Sequence, residues 1–121
     1  MPRAADAARP ARTAYAARLA RRVDPVIHER LRLGICSVLA AGGAQAFPDL
    51  RAALSATDGN LWVHLRVLEE AGYVGEAPLP GPPGTRARTA FRLTAKGRTA
   101  FRRYLELLEG LVRATGAPAT R

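Results

Sequence analysis

What most constrains this chain is a break in its middle. At Ser55-Ala56-Thr57 one short apolar helical period stops and a longer one starts. Before the break, Pro48-Asp49 opens a stretch carrying Leu50 and Leu54; after it, Leu61, Leu65 and Leu68 recur at helical spacing as far as Gly72, with Thr57 placed to cap the second helix. Two helices of about seven and about fourteen residues joined by so short a turn have the spacing of a helix-turn-helix. The flanking segments carry apolar periods of their own.

Those segments are legible. Asp24-Pro25 reads as the N-cap and first position of a core helix in which Val26, Ile27, Leu31, Ile35, Val38 and Leu39 recur until Gly42-Gly43 stops it. Ala44 to Phe47 is expected to be a short extended link. Beyond Gly72, Tyr73 to Leu79 reads as a strand, Pro80 to Thr85 as a turn, and Ala87 to Leu93 as the returning strand, with Phe91 and Leu93 on one face. Thr94 caps a last helix whose Phe101, Tyr104, Leu105, Leu108, Leu111 and Val112 form one wide apolar stripe. At the other end, residues 1 to 13 lack an apolar period and read as a mobile arm. Tyr15, Leu19 and Val23 then fall at i, i+4 and i+8 of an amphipathic helix with Arg18, Arg21 and Arg22 on other faces. The expected fold is mainly α with a small β-hairpin. Its expected divisions are a basic arm and helix at 1 to 23, a core domain at 24 to 113 and a tail at 114 to 121.

Composition narrows the function. A chain of 121 residues is near the modal size of one domain and needs no metal or disulfide to fold. The single cysteine, Cys36, lies on the inward side of its helix and is expected to be a small core residue. There is no run of about 20 apolar residues and no secretory-type apolar stretch at the start, which points to a soluble cytoplasmic protein away from membranes. The Arg-rich start has some likeness to an organellar transit peptide, but it lacks Ser and merges into a helix. His28 and His64 are isolated, so no metal site is expected. No phosphate loop, carboxylate pair or nucleophile-base pair suggests an enzyme or a cofactor.

Charge points to an anionic partner. The net charge is +9, with residues 1 to 22 at +5, 23 to 75 at −2 and 76 to 113 at +5. Two basic regions around a near-neutral centre, neither with a bare apolar face, favour nucleic acid over a membrane surface.

The stretch TDGNLWVHLRVLEEAG from Thr57 to Gly72, then YVGEAPLP, a Gly/Pro wing and FRLTAKGRTAF, resembles the MarR-like winged helix-turn-helix regulators, close to the ArsR-like group. The likeness covers about residues 24 to 113, beginning with DPVIHERLRLGI. It implies a homodimeric transcription factor that places its third helix in the major groove of double-stranded DNA and its wing near the adjacent minor groove.

The residues can be read beside that likeness. With Leu61, Leu65 and Leu68 inward, Gly59, Val63 and Arg66 point outward, Asn60 and Trp62 flank that face, and His64 lies at the core boundary. Arg66 suits phosphate or guanine, Asn60 adenine and Val63 a thymine methyl, while Gly59 allows close backbone approach. Ser55 and Thr57 lie at the turn, and the helix start can receive a phosphate, although Asp58 opposes it. Arg86 and Arg88, at alternate positions of the expected strand, would project together from the wing. Trp62-Val63 departs from the family pattern, in which small or polar residues usually precede a polar or basic one. A bare Trp62 would need a cover: DNA, a partner subunit or a small aromatic ligand.

One such helix covers too little DNA for tight specific binding, and the last helix is more apolar than one small lobe can hide. Both argue for a homodimer through the terminal helices, using Tyr15, Leu19, Val23, Phe101, Tyr104, Leu105, Leu108 and Leu111. The function expected is a sequence-specific transcriptional regulator, more often a repressor in such families, and compatible with relief by a small aromatic ligand. The alternative is a winged-helix protein-interaction module, which the near-neutral centre and Trp62 motivate.

Overall fold

The computed structural model describes residues 4 to 116. Positions 1 to 3 of the expected arm and 117 to 121 of the expected tail lie outside the described residues. Eight elements follow in order: helix α1 (Ala4–Arg21), α2 (Arg30–Gly42), strand β1 (Gln45–Ala46), α3 (Phe47–Leu54), α4 (Asp58–Glu70), β2 (Val74–Leu79), β3 (Arg88–Leu93) and α5 (Ala95–Ala114). They group into two compact units, Pro25–Phe101 and a second made of the chain up to Asp24 together with the chain from Arg102.

The Pro25–Phe101 unit is the winged helix. Each expected helix stop is found where the sequence places it. Gly43 ends α2 at φ +75°, and Ser55 ends α3 in the left-handed region at φ 50°. Thr57 caps α4, its hydroxyl accepting from the Asn60 amide at 3.2 Å. Three antiparallel strands lie in the order β1-β3-β2, with Val74 opposite Leu93, Glu76 opposite Phe91 and Gln45 also opposite Phe91. The floor under the helix pair is Ile27, Ile35, Leu39, Leu50, Leu61, Leu65, Leu68, Val74, Phe91 and Leu93, all buried.

A knot of short bonds sets the end of α4 against the start of α5. The Thr94 hydroxyl donates to the Gly72 carbonyl at 2.6 Å and accepts from the Gly97 amide at 3.0 Å, while the Thr94 amide donates to the Tyr73 carbonyl. A Cβ at Gly97 would lie 2.0 Å from the Tyr73 oxygen, so only glycine permits this approach.

Three expectations need correction. First, α2 begins at Arg30, not at Asp24-Pro25. Its cap is Glu29, whose carboxylate accepts from the Leu31 and Arg32 amides at 3.0 and 2.8 Å. Residues 25 to 27 form a turn instead, held by the Arg32 guanidinium donating to the Val26 and Pro25 carbonyls. Second, the link before α3 contains a strand: Gln45 and Ala46 pair with Phe91 and Ala90 of β3. Third, the region read as a mobile arm is helical from Ala4. Alanine has the best helix propensity, and an Asp6–Arg9 ion pair at 2.7 Å and a Thr13 hydroxyl bonded to the Arg9 carbonyl add local support.

In the second unit, Leu19 of α1 is buried and reaches Gly110 of α5, where an added Cβ would stand 3.2 Å from its Cδ1. Tyr104 is buried as well, whereas Tyr15, Leu105 and Val112 remain 47%, 42% and 47% exposed. Among the described residues, no helix is long and apolar enough to cross a membrane.

Candidate nucleic-acid interface

Helix α4 is positioned by the three leucines on its inner face, each 0% exposed. Their i, i+4, i+7 spacing fixes which way every other side chain points. Gly59, Asn60, Val63 and Arg66 are exposed, and Val63 is 59% open to solvent. Burial and the Glu76 carboxylate push the Glu69 carboxyl above its usual range, and the nearby Arg66 guanidinium offsets this only in part. This face therefore combines an amide, a branched apolar group and a guanidinium, the donor and methyl-contact chemistry of major-groove edges.

Two flanking residues have partners that the sequence did not reveal. Trp62 is not bare: its ring stacks on Phe47 at 4.6 Å between centroids and meets Phe91 edge-on at 5.8 Å. About two-fifths of it is still exposed beside Val63. His64 turns toward the start of α2. Its Nδ1 is 2.9 Å from Arg32 Nη1 and 3.4 Å from Glu29 Oε2. Burial pushes the Glu29 carboxyl up, but the Leu31 and Arg32 amides, with His64 and Arg32, outweigh it and hold the group below its usual range. The Glu29–Arg32–His64 group thus braces α4 against the cap of α2.

At the helix start, the Thr57 hydroxyl is engaged as the cap acceptor, and Ser55 is exposed in its left-handed turn. Asp58 is joined by Arg51 of α3, Nε to Oδ1 at 3.2 Å. Arg51 is a candidate that periodicity missed. It lies on the outer side of a helix read only for its leucines, and the one available signal was an arginine one short turn before an acidic helix start.

The wing differs in detail from expectation. Arg88 is the first residue of β3, but Arg86 belongs to the loop before it, so the two do not share a strand face. Strand alternation instead groups Arg88 with Ala90 and Arg92, on the face opposite Phe91 and Leu93. Arg86, Arg88 and Arg92 are all exposed. The alternation of β3 was enough to find Arg92 once its boundary was known. Among the described residues, no cluster of His, Cys, Asp or Glu could hold a metal ion.

Of the residues expected to pair subunits, Leu19, Phe101 and Tyr104 are already covered within the chain. Val23, Leu108 and Leu111 are half-buried, and Tyr15 and Leu105 are exposed.

Comparison with known proteins agrees with this geometry. An uncharacterised protein of Methanocaldococcus jannaschii is 41% identical over 66 residues, which cover 52% of this chain and 67% of that one. The structure of a transcriptional regulator homologue from Pyrococcus horikoshii superposes with a TM-score of 0.66 at 29% identity, over 74% of this chain and 87% of that one. A MarR-family transcriptional regulator from Silicibacter pomeroyi shares the fold, with a TM-score of 0.59 at 17% identity over 89% and 70% of the two chains. A family model for the winged helix DNA-binding domain matches residues 31 to 112, and this chain belongs to that family.

Proposed function

We propose that this protein is a sequence-specific transcriptional regulator, acting as a repressor, that binds a near-palindromic DNA site as a homodimer. The observation that carries the reading is the outward face of α4. Three fully buried leucines hold Asn60, Val63 and Arg66 together in the open, on the helix that follows a short capped turn. In a helix-turn-helix, the second helix enters the major groove and its exposed residues meet base edges. Arg86 and Arg88 of the wing supply contacts to the flanking backbone.

The dimer is proposed from the terminal helices. Leu105, Val112 and Tyr15 keep apolar surface exposed, with Leu108 and Leu111 beside them on α5. A two-fold pairing through these residues suits a near-palindromic site, whose half-sites lie about one helical turn of DNA apart. Repression follows from occupancy of such a site, and a small aromatic ligand that preferred a DNA-incompetent arrangement would relieve it.

Selection of duplexes from a randomised pool by the purified protein tests this. The reading expects enrichment of one near-palindromic motif, with half-sites about one helical turn apart. Recovery of a random pool, or of no DNA, would contradict it.

A further inference from the structure

Asp58 stands where a DNA-binding helix would least be expected to carry a carboxylate. It is the first residue of α4, its side chain is 70% exposed, and DNA approaching the outward face of α4 would bring phosphates toward that end of the helix. Asp58 is also not alone, because Arg51 of α3 lies 3.2 Å away and is 49% exposed itself. An exposed pair of this kind contributes little to folding. Its surroundings do not call for it as a brace either: α4 is already held by Leu61, Leu65 and Leu68, by the Thr57 cap and by the Arg32–His64 contact.

We infer that Arg51 is a DNA-backbone contact and that Asp58 is its built-in competitor, an intramolecular carboxylate that a DNA phosphate must displace. In the free protein the two charges cancel at the start of α4. When a phosphate arrives, the guanidinium exchanges one oxyanion for another, and the released Asp58 carboxylate repels the polyanion. Exchange of this kind lowers affinity for every duplex alike. The cost is common to all duplexes, so it leaves the ratio of specific to non-specific binding unchanged and makes stable occupancy depend on the base contacts of Asn60, Val63 and Arg66. The inference rests on the DNA-binding reading proposed above.

The test uses the full chain, an enriched duplex and a mixed-sequence duplex, with binding measured over a range of KCl concentrations. Asp58→Asn is expected to bind both duplexes roughly three- to fivefold more tightly, the scale of one exposed charge interaction. Arg51→Ala is expected to bind both duplexes about three- to tenfold more weakly, with a salt slope smaller by about one unit. In the Arg51→Ala background, Asp58→Asn should gain less than it does alone. Opposite signs for the two partners of one ion pair are what a purely structural pair cannot give, since removing either partner would remove the same interaction. A tighter Asp58→Asn variant also cannot arise from misfolding. Equal losses for both variants, or no change in either, would overturn the inference. So would a loss by Asp58→Asn confined to the enriched duplex, which would make Asp58 a reader of a cytosine amino group. Wild-type protein that bound no duplex would instead bring down the functional reading itself.

Discussion

The Pro25–Phe101 unit and the terminal-helix unit treat their apolar residues differently. In the first, the leucines of α4 are wholly buried, and the large exposed groups, Trp62 and Val63, sit together on the outward side of one helix. In the second, exposed Tyr15, Leu105 and Val112 are spread over two helices whose buried residues are few. One unit is finished within a single chain; the other leaves apolar surface exposed, the surface proposed above to pair with a second copy. The same residue type therefore does opposite work in the two places.

The largest expected effect follows from that contrast. Leu65→Ala should cost about 2–5 kcal/mol of stability, because it opens a cavity under α4 with no solvent to fill it. Leu105→Ala, at a site already 42% exposed, should cost less than about 1 kcal/mol in the separated subunit. Denaturant unfolding of the two variants measures the difference, and equal losses would erase the contrast. Leu105→Glu sharpens it from the other side. A charge placed on the proposed interface should leave the fold intact and give monomers in sedimentation, whereas the unmodified protein is expected to sediment as a dimer at micromolar concentration.

A smaller effect concerns the brace between α2 and α4. Glu29 has a lowered carboxyl pKa in the folded protein, so its contribution is present above the ordinary value of 4.5 and is lost as the pH falls through the lower folded value. Glu29→Ala should cost about 1 kcal/mol near neutral pH, the scale of a helix cap, and less in acid. Melting curves taken across that range check this; a penalty that grew on acidification would contradict it.

Much of the winged unit could be read in advance because its signals are local. Thr57 and Thr94 cap helices within three residues of the amides they accept from, and Gly43 stops α2 at the expected place. What escaped depended on partners far along the chain. The Asp24-Pro25 signal was locally sound, yet it lost to Glu29, an uncommon cap whose carboxylate spans two amides while Arg32 ties back residues 25 and 26. Strand β1 is too short to have a period and exists because β3 offers it an edge. Trp62 looked bare because Phe47 and Phe91, which cover it, come from other elements. The helical start of α1 has no apolar period to announce it, and it forms on a run of alanines in spite of Pro10. The outward face of α4 was found from spacing alone, but the ties of Asp58 to Arg51 and of His64 to Arg32 cross between helices.

The central claim is that the outward face of α4 reads bases while the wing holds the backbone. Binding of Arg66→Ala and Arg88→Ala to an enriched duplex and to a scrambled one, over a range of salt, tests it most directly. The account predicts that Arg66→Ala loses about 1–3 kcal/mol on the enriched duplex and much less on the scrambled one. It predicts that Arg88→Ala weakens both alike and lowers the salt slope by about one unit. Equal losses for both variants on both duplexes would show that α4 does not read sequence.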